Sequence, residues 1–455
     1  MGTSVLWFRR DLRLGDNPAL GAAVEAAAAG EVVPLFVLDP RLLGPSGRPR
    51  ATFLLGCLSA LDEATGGRLV VRHGDPVDVV PAVAGEVEAS AVSVAADFGP
   101  YGRERDEAVE GALERPLVRT GSPYVVDPGT ITRDGGGPYK VFTPFYRSWR
   151  DRAAAAAPVD RRAGGVRWAA GVRSDGIPAE PRGETARLPP AGEAAALGRL
   201  EEFRRELADY GRHRDRPDLD ATSRLSPYLR FGCLHPRTVL AGLGRSAGAE
   251  KFRAELAWRE FYADVLWHRP STARESLQEA MAAMAVDDGP DADDRFEAWA
   301  AGRTGYPFVD AGMRQLQAEA WMPNRVRMVV ASFLVKDLHL DWTRGARWFM
   351  RHLVDGDLAS NQHNWQWVAG TGTDPVPFFR VFNPVAQGRE HDPGGDYVRR
   401  WVPELAGIAG PGVHEPWRLD SGMAPTGYPP PIVDHAAERA EALARYAAVK
   451  ERAAR

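Results

Sequence analysis

Four short, largely apolar runs divide the N-terminal part of the chain, at residues 4–8, 31–38, 68–73 and 91–95. Val, Leu and Phe dominate them, and helix-compatible stretches separate them, among them the alanine-rich 19–29. Apolar runs this short, without polar alternation, suit strands covered on both faces. Strands separated by helical stretches build a parallel, doubly wound sheet. The pattern ends near residues 124–128. No Gly-x-Gly-x-x-Gly follows the first run, so the standard dinucleotide fingerprint is missing.

The rest of the chain has a different texture. From about residue 150 to 192 it is rich in Ala, Pro, Gly and Arg, which reads as a connection wrapped over the surface. After Glu193 the apolar period becomes helical, over 197–210, 251–267, 310–321 and 326–340. Ten of the 13 tryptophans lie in that second half. The expected organisation is an α/β domain at 1–130, a connection at 131–192 and an all-helical domain at 193–455. With 455 residues the chain exceeds one ordinary core. The net charge of −4 gives no bulk attraction to nucleic acid, so a DNA-binding face would have to gather its cations locally. The two cysteines, Cys57 and Cys233, exclude a disulfide framework and four-cysteine metal sites, and read as buried small hydrophobes. No run reaches membrane-spanning length and the N-terminus lacks a secretory h-region, so the expectation is a cytoplasmic protein without a membrane or metal partner.

Several clusters have chemical potential, and each also has a plain structural explanation. Trp321, Trp342, Trp348, Trp365 and Trp367 sit at spacings usual for a helical core, yet a row of indoles can also carry an electron. Asp355-Gly356-Asp357 precedes a helical stretch, as a cap would. A carboxylate there could instead face a ligand or, with His352 and His363 nearby, a metal. Thr222-Ser223-Arg224-Leu225-Ser226 is a hydroxyl-rich turn, a cap or a phosphate site, with Tyr210 and Arg214 upstream. Glu255, Trp258, Arg259 and Tyr262 share one helical face, able to bond a base edge, stack and grip a phosphate, or simply to pack.

Taken together these stretches resemble the photolyase/cryptochrome family. The resemblance begins at Trp7-Phe8-Arg9-Arg10-Asp11-Leu12-Arg13-Leu14 with Asp16-Asn17. It continues at 222–226, 258–262 and Gly305-Tyr306-Pro307-Phe308-Val309-Asp310. It is densest in Trp321-Met322-Pro323-Asn324-Arg325 with Arg327-Met328, then 355–361, Trp365-Gln366-Trp367 and Arg380-Val381-Phe382-Asn383-Pro384. It spans essentially the whole chain.

The resemblance implies FAD in the helical domain. Tyr210, Arg214, Thr222, Ser223, Arg224, Leu225 and Ser226 match positions around its ribityl and phosphate parts. Arg327, Asp355, Gly356 and Asp357 match positions at the flavin ring, and Asn361 the one facing N5, where a neutral amide is the repair-type choice. It also implies class I light-driven repair of cyclobutane pyrimidine dimers, on a dimer flipped out of ultraviolet-damaged DNA. Trp258 and Trp367 match the pocket walls, with Glu255, Asn324 and Met328 touching the dimer. Arg259, Tyr262, Arg325, Arg380 and Gln387 match DNA-facing positions. No His lies in 324–328 to serve six-four repair. A blue-light cryptochrome is the alternative on the same fold, and a monomer is expected.

Two stretches depart from the family. Relatives often place the last indole of the electron chain in the part matching 281–295, which here has none. Trp365 and Trp342 would then need Trp299 or Trp348 as the outer member. Pro100-Tyr101-Gly102-Arg103 resembles relatives using an 8-hydroxy-5-deazaflavin antenna, with Asp39, Arg50, Asp97 and Arg105 as contacts; a chain without antenna is the other reading.

Overall fold

The computed structural model describes residues 2–159, 165–181, 186–373, 380–419 and 427–454. The expected strands appear as β1 (Thr3–Phe8), β2 (Glu31–Leu38), β3 (Val70–His73) and β4 (Val92–Val94), with a fifth, β5 (Leu117–Arg119). All pair in parallel, in the order β3-β2-β1-β4-β5. β2 is buried from Val32 to Leu38, so it shows as an unbroken apolar run. β5 buries only Leu117, which is why no run marked it. Strand order reverses between β1 and β4, the place where such sheets leave a crevice at their carboxyl ends.

The alanine-rich stretch is helical only over Pro18–Ala26. Asn17 caps it by accepting from the Leu20 amide at 3.2 Å. Ala28 and Ala29 then take left-handed backbone angles, φ 48 and 64, which a helix cannot continue.

The second half is helical, and its main helices are Glu193–Glu206, Ala247–His268, Pro307–Glu319, Trp342–His352, Leu358–Ala369 and His435–Ala454. The stretch expected as one helix over 326–340 divides. An α-helix runs Asn324–Ser332, a π-turn follows over Phe333–Asp337, and His339 at φ 54 ends it. Among the described residues no helix is long and apolar enough to cross a membrane.

The connection differs most from expectation. Instead of only wrapping the surface, it contributes a helix, Phe142–Ala154, whose buried face carries Phe142, Phe145, Trp149 and Ala153. That face packs on the 247–268 helix, with Phe145 and Phe261 centroids 5.1 Å apart. Further on, the Val32 amide donates to the Arg167 carbonyl (2.8 Å) and the Ala169 amide donates to the Val32 carbonyl (2.9 Å). Residues 160–164 and 182–185 of the expected connection lie outside the described residues.

Buried carboxylates fasten the sheet half to the helical half. Glu260 accepts from the amides of Val125 (2.6 Å) and Val126 (3.0 Å) and from the Trp149 indole N–H (2.6 Å). Glu193 receives the Leu14 and Gly15 amides at 2.8 and 2.9 Å. Asp16 takes bonds from Arg237 and Thr238, each at 2.9 Å. The segment after β1 is thereby fixed against the helices, and Arg10 is aimed into them.

Candidate cofactor and DNA site

A cavity of about 450 Å³ opens in the helical half. Tyr210, Arg214, Thr222, Ser223, Arg224, Ser226, Arg327, Asp355 and Asp357 line it, and so do Glu255, Trp258, Arg259, Tyr262, Asn324, Met328 and Trp367. A narrower extension of about 80 Å³ reaches Gly356, Asn361 and Trp365. Residues scattered from 210 to 367 therefore share one wall. Leu225 does not; its fully buried side chain belongs to the core behind the turn.

The acidic turn has two different carboxylates. Asp355 is held by both Arg327 nitrogens, at 3.2 and 2.8 Å, a fork that fixes its plane. Asp357 caps the 358–369 helix through the Ser360 amide (3.1 Å) and pairs with Arg10 at 2.7 Å. Burial alone would raise the Asp357 carboxyl; Arg10, Arg230 and Arg259 outweigh it and hold the group well below the usual carboxylate range. The metal reading has no support, since among the described residues no three His, Cys, Asp or Glu side chains gather as ligands.

Asn361 is oriented without ambiguity. Gln362 Nε2 donates to the Ala273 carbonyl (2.6 Å), so Gln362 Oε1 faces Asn361. Asn361 Nδ2 donates to that oxygen (2.8 Å) and to the Ala346 carbonyl (3.1 Å). Backbone carbonyls only accept, so the amide cannot be flipped, and its oxygen is left as the acceptor. Gly345 lets the neighbouring helix close on this point: a Cβ there would lie 2.1 Å from the Trp365 ring.

The hydroxyl turn is drawn in by Arg199, which donates to the Ser223 and Thr222 carbonyls at 2.9 and 3.0 Å. Thr222 Oγ1 is buried and lacks a hydrogen-bond partner among the described residues. A buried hydroxyl lining a cavity is normally satisfied by something in that cavity. A ribityl or phosphate oxygen suits it, so the residues present fit FAD.

Several side chains are engaged differently from expectation. Arg214 is ion-paired with Glu255 through one terminal nitrogen and one carboxylate oxygen, and both side chains still line the cavity. Arg224 is shared between Asp220 (2.8 Å) and Glu319 (3.3 Å). Arg259 turns inward to the carbonyls of Pro123 (3.0 Å) and Leu229 (3.4 Å), so it braces the domain boundary rather than facing outward. Trp258 is stacked on Phe142 at 3.7 Å, which covers one face of its indole. Arg325 pairs with Asp215 (3.0 Å) and approaches Gln387 (3.4 Å), and Arg380 is exposed.

Trp299 cannot be the outer electron relay, because it is fully buried and bonds the Val330 carbonyl at 2.9 Å. Its ring lies 6.2 Å from Trp365. Phe296 follows at 5.7 Å, and the half-buried Trp348 lies 5.8 Å beyond Phe296. Trp342 is also buried and bonds Ser276 at 3.3 Å.

The four antenna candidates do not form an open site. Arg105 is taken by Asp97 (3.2 Å) and Asp106 (2.9 Å), and Asp39 accepts the Tyr101 hydroxyl. Arg50 bonds the Met350 carbonyl across the domain boundary. The larger opening nearby, about 1320 Å³, is lined by Arg48, Arg50, Arg274, Arg344, Arg347, Arg351, Phe296 and Trp348, and among the described residues by no carboxylate.

Three contributors escaped the sequence: Arg10, Arg230, whose Nε donates to the Gly356 carbonyl at 2.9 Å, and Phe142. Only Phe142 had a local signal, the apolar spacing at 142, 145, 149 and 153. Beneath the cavity lies His363, fully buried and stacked on Tyr262. Burial lowers its ring from 6.5 to about 4. It therefore contributes stability above pH 6.5 that is lost as pH falls through about 4. Stability followed by tryptophan fluorescence should decline over that range, and less steeply in His363→Gln; identical slopes would contradict this.

Residues 4–162 match the family model for DNA photolyase, and residues 252–448 match the model for the FAD binding domain of DNA photolyase. A deoxyribodipyrimidine photo-lyase of Halobacterium salinarum is 40% identical, covering 97% of this chain and 98% of that protein. One from Streptomyces griseus is 42% identical, with the same coverage. Among solved structures, a class III photolyase from Agrobacterium tumefaciens superposes with a TM-score of 0.90 at 37% identity, covering 99% of this chain and 98% of that one. A Synechocystis cryptochrome gives 0.86 at 26%, covering 97% and 98%. The narrower class I expectation finds no support among these matches.

Proposed function

This chain belongs to the DNA photolyase family, and from that premise we propose that it repairs cyclobutane pyrimidine dimers in ultraviolet-damaged DNA under light, with FAD in the 450 Å³ cavity. The observation that carries this reading is that the flavin-position residues and two indoles, Trp258 and Trp367, line one cavity whose wall, among the described residues, contains no histidine. A six-four photoproduct would call for such a proton donor; a dimer does not.

When bound in its reduced form, FAD would supply the light-driven electron for opening the cyclobutane bonds. The chain's own part is placement. Asp355, held rigid by Arg327, and Asp357, held by Arg10, present fixed acceptors to the flavin ring. The oriented Asn361 oxygen would accept a hydrogen bond from the flavin, and an amide has no proton to release at neutral pH. Trp367 and the open face of Trp258 sandwich the flipped dimer and exclude water from it. Arg325, next in sequence to the cavity-lining Asn324, and the exposed Arg380 are the cations assigned to backbone phosphates. Trp365, Trp299 at 6.2 Å from it, and the half-buried Trp348 beyond Phe296 are the indoles through which reducing electrons would reach the cavity.

A second pigment, 8-hydroxy-5-deazaflavin in our reading, would fit the arginine-lined cleft better than the internally paired Asp39, Asp97 and Arg105. The repair reading is tested on an ultraviolet-irradiated oligonucleotide with the reduced FAD-loaded protein, in light and in darkness. Dimers should disappear only in light. Absence of light-dependent loss with reduced FAD bound would leave the cryptochrome reading in its place.

A further inference from the structure

The chain's two cysteines meet. Cys57 lies in the helix Arg48–Ala64 of the sheet half, and Cys233 lies just after the short helix Ser226–Phe231 of the helical half. Their sulfur atoms are 3.4 Å apart, the Cys233 thiol donating to Cys57, across 176 positions of sequence. Both side chains are fully buried.

Each sulfur is held from its own side. Phe53, one turn before Cys57, packs on Tyr228 and Phe231 with centroids 5.9 and 5.3 Å away. Gly232, at φ 70, lets the backbone before Cys233 touch the segment after β1; a Cβ there would lie 1.9 Å from the Arg10 carbonyl. Leu12 N–H donates to the Phe231 carbonyl (3.2 Å), and Arg13 donates to that of Gly232 (3.1 Å). No metal-ligating companions surround the pair among the described residues. Packing alone needs two small apolar groups here, not two thiols facing each other across a domain boundary. A disulfide needs that arrangement, and the sulfurs would have to close by only roughly 1.3 Å to reach bonding distance.

We infer that Cys57 and Cys233 form a redox modification site, at which a low-molecular-weight disulfide oxidises the two thiols to a disulfide joining the sheet half to the helical half. Each thiol loses its proton and the sulfur–sulfur bond forms. The two electrons and two protons go to the oxidant, whose own disulfide becomes two thiols. The buried sulfurs meet the oxidant when the 226–235 segment lifts from the 48–64 helix, so the rate follows that opening. The bond restrains the unfolded chain across a long loop, so the oxidised protein melts higher. It also ties the turn carrying Thr222 and Ser226 to the sheet half.

The test incubates full-length protein with oxidised glutathione, then alkylates it in denaturant with iodoacetamide and weighs the intact chain. The expected chain is lighter by two hydrogens, carries no alkyl group and stays monomeric on a non-reducing gel. Its melting temperature is raised, and dithiothreitol reverses the rise. Cys57→Ser treated in parallel should leave Cys233 alkylated or glutathionylated. The inference fails if both wild-type cysteines remain alkylated after incubation up to the onset of melting. It fails equally if glutathione stays attached or the oxidised chain melts lower than the reduced one.

Discussion

Asp357→Ala should cost the fold about 3–5 kcal/mol and empty it of FAD. Among the described residues Asp357 is the only carboxylate in an ion pair with Arg10, and Arg230 and Arg259 also act on it. Without it, the nearby cations lose their strongest counter-charge, and the more weakly acting Asp97 remains. Breaking a buried pair costs about 3–5 kcal/mol when desolvation is complete. Arg10 keeps 22% of its side-chain surface exposed and Asp357 13%, so about 2–4 kcal/mol is the fair share here. Loss of the cap on the 358–369 helix adds about 1 kcal/mol. Asp357→Asn separates the two effects, because asparagine still caps but carries no charge; it should recover the cap's share only. Urea unfolding of each variant and the flavin absorbance retained after gel filtration measure both consequences. An alanine variant within about 0.5 kcal/mol of wild type would remove Asp357 from its place between the domains.

Arg10 and Asp357 lie at the limit of what the sequence could tell. The doubly wound sheet was legible because buried strands carry no polar alternation, as β1 and β2 show. The cavity residues were legible because Asn324, Arg327, Asp355 and Asn361 sit in dense local motifs. Arg10 sat in a motif too, yet nothing local says that an arginine beyond a strand reaches a carboxylate 347 positions away. The same holds for Arg259. Its helical face looked ready for a phosphate, but the carbonyls that engage it come from segments a one-dimensional reading does not bring near. The 142–154 helix was readable from its aromatic spacing and was hidden by the Ala-, Pro- and Arg-rich composition that follows. Trp299 failed as a relay terminus for a physical reason: an indole marks aromatic packing in a sequence, and only the fold decides whether it reaches solvent.

Glu260→Ala should destabilise the domain boundary about as strongly as Asp357→Ala, by roughly 3–5 kcal/mol. The carboxylate is 2% exposed, and three N–H groups from two segments converge on it. Truncation leaves the Val125 and Val126 amides and the Trp149 indole without an acceptor, and each orphaned buried donor costs about 1–3 kcal/mol before the surroundings relax. Glu260→Gln keeps the shape and one acceptor oxygen, but its amide must point a donor at another donor. It should cost less, about 2 kcal/mol. The damage should be local in kind. The 122–129 segment and the 142–154 helix both hang on this residue, so protease should cut there before the rest of the chain unfolds. Trp149→Phe provides the coupling test, because it removes one donor and leaves the acceptor. If the clamp is real, the double variant Glu260→Ala, Trp149→Phe loses less than the sum of the singles. Additive losses would mean that the indole and the carboxylate stabilise the boundary independently, and that the helix Phe142–Ala154 is held by its apolar face alone.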